Sequence, residues 1–133
     1  MNHIQQKVAD GDCGVAAIAI LTGKTYDNVM YYVPPCVYEF GLWIVYIPYA
    51  LMAITGEAWG IKYYAAPLVK QLSMFDFPKE PTMYGIYRPD GVFHYIVSDG
   101  EYLYDPLLPN RITLEQARLD YHSGWTIYAE IKK

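Results

Sequence analysis

A thiol, an imidazole and a carboxylate stand at three points of this chain where local structure would give each a chemical use. Cys13 opens an Ala-rich apolar run, Cys13-Gly14-Val15-Ala16-Ala17-Ile18-Ala19-Ile20-Leu21, with Asp12 before it and Gly23 after it. That pattern predicts a central helix with Asp12 as N-cap and Gly23 as stop. A cysteine at a helix start meets unpaired N–H groups and the positive end of the macrodipole, which favour a thiolate. The bland reading is a small buried residue that fills space.

His94 and Asp105 flank the clearest hairpin in the sequence. Val92 to Ser98 and Glu101 to Asp105 read as strands, and Asp99-Gly100 as a two-residue turn. That turn pairs Ser98 with Glu101, Ile96 with Leu103 and His94 with Asp105. The last pair then shares one face, with Cβ atoms about 5 Å apart. A carboxylate so placed holds one imidazole nitrogen and fixes the tautomer at the other. A surface His–Asp pair on an edge hairpin is the alternative, and a one-residue slip would separate the two. A thiol at a helix start and a carboxylate-oriented imidazole are the two halves of a Cys–His nucleophilic site. A single cysteine with His and Asp far downstream is the order expected when the parts meet only in space.

The remaining candidates read as structural. Cys36 follows Pro34-Pro35 in a loop and is expected to be an ordinary thiol. His3 and His122 are expected at the surface, and Trp43, Trp59 and Trp125 in the core. Tyr31-Tyr32 is expected to cover a helix face. Cys13, His94 and Asp105 lack the paired Cys or His spacing of a zinc site, so no metal and no cofactor is expected.

The elements that must position these residues divide by halves. After the first helix, Thr25 caps a second from Tyr26 to about Val33, ended by Pro34-Pro35. A third lies within Leu42 to Thr55, where Pro48 kinks or restarts it and Gly56 ends it. The uncharged stretch Phe40 to Gly56 is at the short edge of a membrane span. Pro48 and the diluting Gly41, Tyr46, Tyr49 and Thr55 make it a buried helix instead. The second half reads as sheet: strands at Ile61–Tyr64, Thr82–Tyr87 and Trp125–Ile131 join the hairpin, with a turn at Arg88-Pro89-Asp90-Gly91. Thr113-Leu114-Glu115-Gln116 is a capping box that opens a helix to about Tyr121. Helices followed by an antiparallel sheet predict α+β.

Composition agrees with one folded unit over residues 1–133. The chain has 133 residues, 53% hydrophobic and 18% charged, enough to bury a core. A net charge of -4 with no basic stretch argues against nucleic acid as partner. Fifteen tyrosines suit a Tyr-rich sheet. Two cysteines make no disulfide framework, and Met1 to Lys7 has no apolar signal run, so a reduced, cytoplasmic protein is expected.

Gln6, then Asp12-Cys13-Gly14-Val15-Ala16-Ala17, His94-Tyr95-Ile96-Val97 and Tyr104-Asp105-Pro106 together resemble the papain-like cysteine peptidases. Within them the chain is most similar to the bacteriocin-leader peptidase domains of ABC transporters and their stand-alone relatives. The resemblance spans nearly the whole chain in the same element order. It implies a papain-like fold with N-terminal helices packed on a C-terminal antiparallel sheet. It also implies Cys13 as nucleophile, His94 as general base and acid, Asp105 as its orienter, and a Gln side chain at the oxyanion beside the nucleophile's N–H. That Gln usually stands six residues before the Cys, and here that position is Lys7. Gln6 is one residue further away and Gln5 two. Asp10-Gly11 can absorb one residue as a bulge, which selects Gln6.

The implied activity is a thiol hydrolase, a cysteine protease on a peptide or protein substrate, working through an acyl-enzyme. The bacteriocin-leader relatives imply small residues before the cut. Acyl transfer, as in transglutaminase-like relatives, uses the same intermediate. A peptidase-fold binding module without turnover is the third reading, and the displaced Gln is its best support.

Overall fold

Gly14 to Ile20 of helix α1 (Cys13–Thr22) are all buried. Its side chains are small or β-branched with no polar face, so it can only lie between other elements. Gly23 stops it in the left-handed region, φ 76°, where its N–H donates to the Ala19 carbonyl at 3.0 Å. The structure, a computed structural model, describes residues 1–7, 11–33, 43–64 and 70–133. Pro34, Pro35, Cys36, Phe40, Gly41, Leu42 and Asp10 lie outside the described residues, and with them the expectations placed on them.

Helix α2 (Tyr26–Met30) starts as expected, the Thr25 hydroxyl accepting the Asn28 N–H at 3.1 Å. It stops at Met30 rather than Val33. The N–H groups of Tyr31 and Tyr32 reach the Asn28 and Val29 carbonyls, a tightened last turn three residues back. Tyr31 is consequently exposed and covers no helix face.

A 3-10 turn, Ile44–Tyr46, leads into α3 (Ile47–Thr55), with Pro48 in its first turn. The proline therefore restarts the helix, at a position where its missing N–H costs nothing. Ile47, Ala50 and Leu51 are its buried residues, and Ile54 packs at the core margin. Tyr49 is 69% and Met52 47% exposed, so the expectation of a fully buried helix is corrected. Trp43 is likewise corrected from core to surface, at 65% exposure, while Trp59 and Trp125 pack at the core margins. Among the described residues, no helix is long and apolar enough to cross a membrane.

Strands β1 (Gly60–Tyr63), β2 (Lys70–Gln71), β3 (Thr82–Tyr87), β4 (Phe93–Ser98), β5 (Tyr102–Tyr104), β6 (Ile112–Thr113) and β7 (Thr126–Lys132) form one antiparallel sheet. Its order is β1-β7-β3-β4-β5-β6, with β2 also on β7. The fold is α+β. The short β2 and β6 carry too little alternation to be legible as sequence.

Alternation along the central strands gives the sheet two buried faces. Met83, Tyr95, Val97 and Ile131 pack with α1, α2 and α3. Tyr84, Ile86, Ile96 and Ile127 face the other way, toward Leu72, Phe75 and helix α4 (Leu114–Asp120). Thr113 caps α4 through the Gln116 N–H, but the Gln116 side-chain amide reaches Asp120 at 2.8 Å. Only half of the capping box therefore forms.

The β4–β5 register differs from the two-residue-turn expectation. Val97 stands opposite Tyr104 and Ser98 opposite Leu103. Asp99 causes this: its Oδ1 accepts the N–H groups of Glu101 (3.0 Å) and Tyr102 (2.9 Å). An Asp that bonds the backbone ahead of it builds its own wider turn. Gly100, at φ 86°, closes that turn against Pro78 and Lys79, where an added Cβ would come within 2.5 Å of backbone. The displacement is even, so every side chain keeps its expected face. His94 and Asp105 are thereby diagonal rather than directly opposite, still within reach of an imidazole.

Candidate active site

Cys13 is the first residue of α1, where the leading N–H groups have no intrahelical acceptor. It is unbridged and half-buried. Asp12 occupies the N-cap position, but its side chain makes no capping bond. The expected cap is corrected: Asp12 is wholly buried, and its Oδ2 accepts the Lys7 N–H at 2.7 Å and the Tyr26 hydroxyl at 2.5 Å. The carboxylate thus ties Lys7 and Tyr26 to the start of the helix.

His94 enters one residue into β4, opposite Ile86, and is 3% exposed. Its Nε2 lies 2.6 Å from Oδ1 of Asp105, itself 2% exposed. The Cys13 thiol hydrogen-bonds the same ring. With Nε2 engaged by Asp105, that contact falls to Nδ1. The three residues singled out from sequence therefore meet at one imidazole, drawn from α1, β4 and the end of β5.

Burial alone would lower the His94 pKa. The hydrogen bonds that the protonated ring gives to Asp105 and Cys13, with the charges of both, outweigh it and raise the imidazole to about 9. Burial opposes the Asp105 charge too. The His94 bond and charge, the Tyr121 hydroxyl and the Leu107 N–H overcome it and lower the Asp105 pKa. At neutral pH His94 is consequently a cation and Asp105 an anion.

Two of the groups around Asp105 were not foreseen. The Leu107 N–H donates to Oδ1 at 2.9 Å. The Tyr121 hydroxyl, from the residue that ends α4, donates to Oδ2. The capping box announced α4, but nothing in the sequence spacing aims Tyr121 at Asp105.

Gln6 lies along the loop that follows Asp105. Its N–H donates to the Pro106 carbonyl at 2.8 Å, its amide oxygen is buried, and Gln5 beside it is exposed. His3, expected at the surface, is instead pinned on the same loop. Its Nε2 donates to the Leu108 carbonyl at 2.7 Å, and its ring stacks on Tyr104. Lys7, which holds the usual position of the family Gln, turns outward to Asp27 at 3.4 Å. His122 is exposed, as expected.

The arrangement can take a proton from a thiol, hold it on an oriented imidazole and return it to a leaving group. Among the described residues, no cluster of His, Cys, Asp or Glu could hold a metal ion. No protein-family model matches the chain, and no curated protein matches it.

Proposed function

We propose that this chain is a papain-like cysteine peptidase, or a closely related thiol amide hydrolase, acting on a peptide or protein. Cys13 attacks the acyl carbon and forms a thioester, and the leaving amine takes its proton from His94. Water, deprotonated by His94, then attacks the thioester and releases acid and free thiol. The Cys13 backbone N–H and the Gln6 amide are the oxyanion donors in this reading. The observation that carries it is the buried His94–Asp105 contact of 2.6 Å on the ring that also binds Cys13. Helices on an antiparallel sheet, with the thiol at a helix start, add support from the fold.

A reactive peptide-like electrophile tests the proposal without knowledge of the substrate. Labelling should map to Cys13 and disappear in His94→Ala. Labelling of Cys36 alone, or equal labelling of both thiols with the pH profile of a free thiol, would return the chain to a binding role.

A further inference from the structure

The geometry points to Tyr121 as a positioning residue: its hydroxyl fixes the second oxygen of Asp105, so that the carboxylate can present only its first oxygen to His94. The inference rests on the peptidase reading and extends it to a residue outside the resemblance.

A carboxylate turns readily about its last torsion, because that rotor is broad and two-fold. One hydrogen bond to an imidazole does not prevent the turn. Asp105 is held at both ends. Oδ1 takes Leu107 N–H and His94 Nε2, and Oδ2 takes the Tyr121 hydroxyl. Rotation would break all three bonds inside a buried site, where each lost partner is costly.

Tyr121 is itself immobile. It is 4% exposed, its N–H closes α4 on the Ala117 carbonyl at 2.8 Å, and its ring meets Trp125 edge-on at 4.7 Å. Burial first, then the charge and hydrogen bond of Asp105, raise its pKa, so it stays a donor throughout the working range. Helix α4 thus connects to the site through one hydroxyl. Once His94 has given up a proton, a fixed carboxylate keeps the neutral ring with its remaining proton on Nε2 and its lone pair on Nδ1, toward Cys13.

The charged and titratable groups facing Asp105 and Tyr121 are His94 from β4 and Asp120 beside Tyr121, with Cys13 from α1 acting on the His94 ring. A phenol that shares the carboxylate charge weakens its hold on the His94 proton. Tyr121→Phe should therefore lower kcat about tenfold, leave KM unchanged and move the basic limb of kcat upward. In an Asp105→Ala background the same change should do nothing further, since its only target is gone. An equal loss in both backgrounds, or no loss in either, would overturn the proposal.

The His94 titration, followed by NMR, needs no substrate. It should move upward in Tyr121→Phe, and an unmoved titration counts against Tyr121 even if no amide is ever turned over. Absence of turnover in the wild-type chain would instead reject the peptidase reading. If Tyr121→Phe does not fold, 3-fluorotyrosine at 121 keeps ring and hydroxyl. Its stronger donor should move the His94 titration downward, and an unchanged titration would overturn the proposal.

Discussion

Two buried aspartates in this molecule use the same device for different ends. Asp12 and Asp105 each take a tyrosine hydroxyl and a backbone N–H: Tyr26 and Lys7 for the first, Tyr121 and Leu107 for the second. The partner that separates them is the imidazole of His94, which sits on Asp105 at 2.6 Å. At Asp12 the donors come from Lys7 and from Tyr26 of α2, so its hydrogen bonds hold the start of α1 to both. At Asp105 the third donor is a titratable imidazole, which the same satisfied carboxylate holds in place. A buried carboxylate is a structural clasp until one of its donors can give up a proton.

The sharpest break would come at the reacting pair. Cys13→Ala should abolish turnover, and His94→Ala should do nearly the same, both read by initial rates on a peptide amide. Far-UV dichroism should stay native in Cys13→Ala, because the thiol is only half-buried. The two aspartates should then separate. Asp105→Ala should cost about a thousandfold in kcat, since an unoriented imidazole samples the wrong tautomer. Asp12→Asn should lower the urea midpoint, losing about 1–3 kcal/mol. Its effect on kcat should not exceed that of Gln6→Ala, because its carboxylate bonds Lys7 and Tyr26 rather than a reacting group. A collapse of kcat in well-folded Asp12→Asn would dissolve the distinction.

Gln6→Ala should slow turnover by roughly a hundredfold through the oxyanion. Gln5→Ala, whose side chain is exposed, should be silent. The reverse outcome would assign the oxyanion role to Gln5 instead.

The smallest effect is on stability against pH. The His94 pKa rises on folding from 6.5 to about 9, so its stabilising contribution is complete below 6.5 and is lost as pH rises through about 9. Asp105, lowered on folding, contributes above its ordinary value and fades as pH falls through its folded value. The urea midpoint of the wild-type chain should therefore fall between about pH 6.5 and pH 9, and His94→Ala should show less of that fall. The basic limb of kcat should lie near 9, where the general acid is lost.

Much of the site was legible because it rests on local rules. A capped apolar run places Cys13 at a helix start, and alternation assigns His94 and Asp105 to one sheet face. Face assignment survived an incorrect turn because side chains in strands repeat every two residues and the register moved by an even step. The turn itself was misread because Asp99 could be scored as a turn former but not as the acceptor of two N–H groups. Boundaries were weakest where helix ends are decided by neighbours, as at Met30, and where strands are two residues long, as at β2 and β6.

The exposed side of α3 shows the limit of composition. An apolar run predicts burial, yet Tyr49 and Met52 face outward because one face of a helix suffices to cover α1. The sequence alone determined the longer helices and strands, the sheet face that His94 and Asp105 share and the place of Cys13 at a helix start, since these follow from propensity, capping and periodicity. Only the tertiary structure decided that Tyr121 closes on Asp105, that Asp12 clasps Lys7 and Tyr26, and that Gln6 runs beside Pro106. Those contacts join residues distant along the chain, and their geometry depends on the packing of whole elements, which no local pattern encodes.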